Sequence, residues 1–184
     1  VKITEVLEVD RDPAQVWELF CDVHELSLCL PGAELTEDKG DGIYAGNVSA
    51  KLGPMSSNFV GECTIVSDNE TMTGSVKGKG MDKSGGSVGL VQVDYAVVGN
   101  GGGTRVTIDA DVTLSGAIAQ FGRTAIIQEM STRLIAEFAE CLEAKLAAGS
   151  AEQAHEIHAK EVKGVSLFFS SLWATIKAYF KRSS

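Results

Sequence analysis

Histidine is scarce in this 184-residue chain, which has only His24, His155 and His158. With so few imidazoles, no Ser/His/Asp arrangement is legible among the many serines, and acid–base chemistry near neutral pH loses its commonest carrier. Cysteine is sparse as well. Cys21, Cys29, Cys63 and Cys141 form no C-x-x-C pair and no metal-ligand spacing. They read as reduced thiols of a cytosolic protein, with Cys29 a buried, inert one. Basic charge is short: the formal net charge is −9, which argues against nucleic acid, whose phosphates need a basic face. No basic start followed by an apolar run marks a signal peptide at the N-terminus.

Metal and phosphate motifs are equally thin. His155 and His158 stand three apart with Glu156 between them, but a zinc site wants two more ligands and a supporting shell, and the sequence offers none beside them. Gly99 to Gly103 has the composition of a phosphate loop. It lacks the strand-to-helix context and the Lys-Ser/Thr ending, so it reads as a hairpin. Only His24, beside Glu25, and Tyr95 remain as weak catalytic candidates. The expectation is no enzyme, no catalytic residue and no metal.

What the chain does have is apolar residues at 44% and a strand rhythm. Residues 2–9 alternate. Asp12 then caps a helix that starts at Pro13, where a missing N–H costs nothing. Asp22 opens a second short helix that stops at Leu30-Pro31-Gly32. From 33 to 115, segments near 33–38, 42–52, 56–67, 71–81, 87–98 and 104–115 are separated by short Gly-, Pro- or Asn-containing turns. Short connections make an antiparallel meander of about seven strands with one wet face. A long helix over about 117–148 must then cover the other face. The fold class read from this order is α+β, a helix-grip fold with a curved antiparallel sheet around a long C-terminal helix.

Strand 71–81 puts Gly74, Val76, Gly78 and Gly80 on one parity and Lys77 and Lys79 on the other. The lysines belong in water, so the glycines point inward, either leaving volume or relieving curvature. A cavity there has an apolar wall of Phe59, Ile65, Val76, Val93, Tyr95, Ile108, Phe121, Met130 and Leu134. Such a wall, with Gly78 in its floor, suits an apolar ligand.

The C-terminus is different in kind. From Gly164 on there is no acidic residue. Val165, Phe168, Phe169, Leu172, Trp173, Ile176, Tyr179 and Phe180 fall within roughly 140° of a helix. Lys163, Lys177, Lys181 and Arg182 give this tail +4 against −13 for the remainder. The apolar stretch is too short for a transmembrane span, which needs about 20 residues. A basic, aromatic amphipathic helix lies in a membrane interface instead. The expected organisation is a ligand-binding domain at 1–149, a connector at 150–163 and a membrane-interacting helix at 164–184.

Five pieces in order carry a family resemblance: Leu28-Cys29-Leu30-Pro31-Gly32-Ala33; Lys51-Leu52-Gly53-Pro54 followed by Phe59 and Gly61; Gly78-Lys79-Gly80; Gly102-Gly103-Thr104-Arg105; and the helix opening Gly116 to Arg123. Over about residues 1–148 the chain resembles the CoxG family of carbon monoxide dehydrogenase, within the START-like superfamily. The resemblance implies the helix-grip fold and a molybdenum hydroxylase as partner, and supplies no catalytic residues. A soluble dehydrogenase must reach lipid-borne quinones, so the ligand expected in the cavity is a respiratory quinone, menaquinone or ubiquinone. The expected place is cytoplasmic, peripheral on the inner face of the cell membrane and on anionic lipid. The alternatives are a ligand-free recruitment or assembly factor and an enzyme acting on an apolar substrate.

The tail reading yields a direct test. Full-length protein should float with anionic lipid vesicles, and residues 1–150 should not. The basic residues contribute up to about 1 kcal/mol each near such a surface. Phe169→Glu with Trp173→Glu should release the protein, whereas Lys177→Gln should only weaken binding and its salt dependence. Equal flotation of long and short chains removes the anchor.

Overall fold

Asp12 accepts a hydrogen bond from the Ala14 amide at 2.9 Å and starts α1 (Pro13–Cys21) with proline in its first turn. Asp22 does the same for α2 (Val23–Leu28), accepting from the Glu25 amide at 3.0 Å. Each aspartate satisfies an amide that the first helical turn leaves orphaned. The computed structural model describes residues 1–52, 55–82, 85–121, 124–148 and 151–159. The turns read at 53–54 and 83–84 and the helix read at 164–182 lie outside the described residues.

The strands are β1 (Lys2–Val9), β2 (Ala33–Gly40), β3 (Ile43–Leu52), β4 (Met55–Asp68), β5 (Thr73–Asp82), β6 (Ser87–Asn100) and β7 (Gly103–Ser115). They form one seven-stranded sheet in the order β1-β7-β6-β5-β4-β3-β2, antiparallel throughout. The meander read from the turn signals is therefore present, with β1 closing on β7. The long helix is divided: a 3-10 turn (Ala117–Phe121) precedes α3 (Thr124–Ala147). A short α4 (Ala151–His155) follows within the stretch read as a connector.

Glycines cross the inner face as a line. Gly46 pairs with Gly61, Gly61 with Gly80, and Gly80 with Gly89, so four adjacent strands lack a side chain at one level. At Gly61 a methyl group would strike the Lys79 carbonyl, and at Gly46 it would come within 2.6 Å of the Glu34 carbonyl. The strands approach there as only a bend permits.

The other inward glycines are packing partners. Tyr95, directly opposite Gly74, lays its ring where a Cβ would stand. Val91 reaches over Gly78, and Phe59 over Gly80. The volume expected from these missing side chains is thus taken up by cross-strand neighbours. Curvature and close packing account for the glycines.

The closed core sits at one end of the sheet. Leu7, Val9, Val97, Val106 and Tyr95 meet Val16, Trp17 and Phe20 of α1 and Phe138 and Leu142 of α3. Phe20 stands 5.3 Å from Tyr95 and 5.9 Å from Phe138, ring centre to ring centre. Each such side chain contributes about 1.5–3 kcal/mol by leaving water. The Trp17 indole N–H, buried with it, donates to the Asn69 side-chain oxygen at 3.0 Å.

The four cysteines are not all reduced thiols, contrary to what their spacing suggested. Cys29, at the end of α2, is disulfide-bonded to Cys141 of α3, and both are buried. The two lie 112 residues apart, so no local spacing announces the pair. Cys21 and Cys63 are free thiols. The inference of a reduced compartment rested on four unpaired thiols, and it loses that support.

The bend at the glycine line predicts an asymmetry between two alanine substitutions. Gly61→Ala should cost about 1–3 kcal/mol or more, because backbone must move. Gly89→Ala, whose added methyl meets Leu114 and Phe59 at an ordinary 3.6 Å, should change stability by less than about 1 kcal/mol. Urea denaturation of the two variants against the parent measures this.

Candidate functional site

Away from the aromatic core, the inner face stays open. Phe59 on β4, the facing pair Val76 and Val93, Gly78, and Ile108 on β7 all lie on it and are half-buried. So are Cys63, Ile65, Val91, Ala110 and Val112 at neighbouring positions. Val48 points to the same side and is 49% exposed. A sheet face turned toward a helix would ordinarily bury such residues. Here they form an apolar trough whose floor is the glycine line.

The helix side matches. At about 100° per residue, Leu134 falls between Phe138 and Cys141 on α3. Those two are buried and so is Ile127, yet Leu134 is 36% exposed and Met130 half-buried. Leu134 lies in the middle of the buried stripe and is nonetheless exposed. Beyond the trough the sheet is closed again. Ile118 and Ser87 are buried, and the Ile118 amide donates to the Ser87 hydroxyl at 3.1 Å.

Of the wall residues expected from sequence, Phe59, Ile65, Val76, Gly78, Val93 and Ile108 lie on this face, and Met130 and Leu134 lie on the inward stripe of α3. Tyr95 lies at its boundary. It is buried among Trp17 and Phe20, with its hydroxyl 3.5 Å from that of Ser67, and burial pushes its phenol pKa up. The Phe121 side chain lies outside what is described. The sequence reading missed Val48, Cys63, Val91 and Val112, although strand parity alone points to them. The Cys63 thiol is held above its ordinary pKa by burial.

Two grooves on the outer face differ in character. One, of about 400 Å³, is lined by Asp68, Ser75, Asp94, Thr107 and Asp109 among others. The other, of about 320 Å³, is bordered by Glu62, Thr64, Lys77 and Lys79. Their charged borders do not suit an apolar ligand.

A second cluster of polar groups joins α2, α3 and α4. The Lys145 ammonium, with 1% of its side chain exposed, donates to Glu25 Oε2 at 2.6 Å and to the Ala154 carbonyl at 2.7 Å. His155 Nδ1 lies 2.7 Å from Glu25 Oε1, and its ring stacks on His24 at 5.4 Å. Burial pushes the Glu25 carboxyl up, but the hydrogen bonds from Lys145 and His155 outweigh it and hold its pKa below the ordinary value. His24 and Tyr95, the two weak catalytic candidates, thus have separate surroundings: a surface ion-pair cluster and an aromatic core. Among the described residues, no helix is long and apolar enough to cross a membrane.

Comparison with known proteins agrees with this architecture. The family model for CoxG, a component of carbon monoxide dehydrogenase, matches residues 6–147. Among solved structures, a conserved protein from Geobacillus kaustophilus is similar at 15% identity and TM-score 0.70, with 80% of this chain and 95% of that one covered. A STAR-related lipid transfer protein from Xanthomonas axonopodis is similar at 13% identity and TM-score 0.55, covering 77% and 85%. The ZhuI aromatase/cyclase from Streptomyces sp. R1128 is similar at 14% identity and TM-score 0.52, covering 82% and 99%. At these identities the likeness is one of fold, the START-like helix-grip. No curated protein matches.

The Glu25 cluster sets an expected acid limb. A carboxyl whose folded pKa is depressed contributes its full stability above the unfolded value of about 4.3 and loses it as pH falls through the folded value. Glu25→Gln should therefore cost about 2–3 kcal/mol at pH 7, because Lys145 is left buried without its anion. It should also flatten the decline in stability below pH 4.3. Urea midpoints of both proteins across pH 3–7 check the magnitude and the sign.

Proposed function

The chain belongs to the CoxG family of carbon monoxide dehydrogenase, and on that premise we propose that it is a non-enzymatic accessory protein that holds a respiratory quinone in the trough and links a molybdenum hydroxylase to the membrane. The observation that carries the reading is the half-buried apolar sheet face, together with Leu134 exposed in the middle of the α3 stripe. An apolar sheet face left half-exposed is the feature a prenyl chain needs. Each CH₂ moved from lipid to water costs about 0.8 kcal/mol, so a long-tailed quinone does not reach a soluble enzyme unaided. A trough lined by Phe59, Val76, Val93 and Ile108 offsets that cost.

In this reading the tail residues Val165, Phe168, Phe169, Leu172, Trp173, Ile176 and Phe180 enter the interface of the inner membrane face, and Lys177, Lys181 and Arg182 meet anionic headgroups. The protein takes the quinone from the bilayer and presents it to the dehydrogenase. Menaquinone and ubiquinone both fit the chemistry of the trough. The solved relative named as a lipid transfer protein is consistent with an apolar cargo on this fold. The relative named as an aromatase/cyclase keeps an enzymatic use of the fold in view. The separate surroundings of His24 and Tyr95 favour the carrier over that use.

Mass spectrometry of an organic extract of the purified protein should show a prenyl quinone. Cys63 provides a second readout, because its half-buried thiol lies on the trough floor. Bound menaquinone should slow alkylation of Cys63, located by peptide mapping, and leave exposed Cys21 unaffected. It should also raise the melting temperature by mass action. If no quinone is extracted and neither measurement responds to added menaquinone or ubiquinone, the carrier reading fails and a ligand-free recruitment or assembly factor takes its place.

A further inference from the structure

His155 is paired across the fold with His24, and its sequence neighbour His158 takes no part. His24 and Glu25 stand side by side in the first turn of α2, and His155 ends α4. One donor atom from each of the three lies within 4.8 Å of the others. The rings of His24 and His155 are nearly parallel, 15° apart. Two imidazoles beside a carboxylate gather three lone-pair donors within reach of one ion, although the stacked rings hold their lone pairs in nearly parallel planes.

The donors are unequal in freedom. Glu25 is fixed: Lys145, itself buried, holds Oε2 at 2.6 Å and leaves Oε1 turned to His155. That is the arrangement by which an outer partner orients a metal-ligating carboxylate. His24 and His155 are exposed and can turn about their side-chain bonds. Closing the donors onto an ion therefore needs side-chain rotation and no backbone movement. The Lys145 charge opposes a cation, but it is engaged from the far oxygen and by the Ala154 carbonyl.

We propose that His24, Glu25 and His155 form a surface site for a divalent first-row transition ion, zinc being the reference case, which fastens α4 to α2. The donor set decides the class. Two imidazoles and one carboxylate suit Zn²⁺ and its neighbours, whereas Mg²⁺ and Ca²⁺ take oxygen donors. Three protein ligands leave a fourth position for water. Residues 156–159 follow α4 directly, and the Ala159 amide already donates to the Leu28 carbonyl at 2.8 Å. The ion would add a second fastening where the chain continues toward residue 160.

The test uses the untagged full chain with Cys21→Ser, which removes the exposed thiol as a competing ligand. Titration with ZnCl₂ should show one equivalent bound, and Co²⁺ should give the visible absorption of a low-coordinate ion. His24→Ala and His155→Ala should each weaken binding at least about 10-fold, and His158→Ala should leave it unchanged. Zinc should raise the melting temperature of the parent and not of the double variant. Both histidines are exposed, so circular dichroism of the metal-free variants should match the parent. No stoichiometric binding, equal binding by parent and double variant, or a loss with His158→Ala as large as that with His155→Ala would each overturn the site.

Discussion

Curvature governs this molecule, and the in-register line Gly46–Gly61–Gly80–Gly89 makes it possible. A side chain at that level on β3 or β4 would meet backbone, so the strands approach only because none is there. Bending lets one sheet form both a floor and an end wall. Tyr95 covers Gly74 and closes the aromatic end with Phe20 and Phe138. Ser87 and Ile118 close the other. The trough lies between two regions that are packed, and it is open because packing is concentrated at its ends.

The same separation explains where the strong fastenings lie. The disulfide between Cys29 and Cys141, the Lys145–Glu25 ion pair and the Ala159–Leu28 hydrogen bond all tie to α2. None is in the trough. A cross-link closing a loop of more than 100 residues contributes up to about 5 kcal/mol, comparable to fully burying two large side chains. Stability concentrated at the α2–α3–α4 junction is compatible with an apolar sheet face left half-exposed. The stretch read as a plain connector is part of that junction: Ile157 packs on the core, and the Ala154 carbonyl accepts from Lys145.

Much of this was legible, because most of it is local. Asp12-Pro13 and Asp22 announce their helices by capping, and the strand limits follow from turn residues and alternation. Parity along β5 put Gly74, Gly78 and Gly80 on the inner face correctly. Their meaning was not legible, because a glycine in a sequence does not say which cross-strand side chain lies over it. Register supplies that, and register also aligns Gly89 with the other three. The Cys29–Cys141 bond and the His24–His155 stack are long-range facts of the same kind, made when α3 and α4 return to α2. The family resemblance, by contrast, rested on glycine-bearing pieces, some at helix ends and hairpins and some, such as Gly78-Lys79-Gly80 in β5 and Gly61 in β4, in mid-strand where the sheet bends.

The two ends of α3 then have different duties. Its C-terminal half carries Phe138, Cys141, Leu142 and Lys145, each buried or bonded, and is fixed to α1, α2 and β1. Nearer the N-terminus, Met130 and Leu134 are less covered. The helix is thus clamped at its C-terminal end, buried again at Ile127, and least covered between the two. Local opening is easiest where buried apolar contacts are fewest. The clamp lies beside the point where the chain leaves toward its basic tail. The less covered positions, Met130 and Leu134, lie farther along α3 from that clamp.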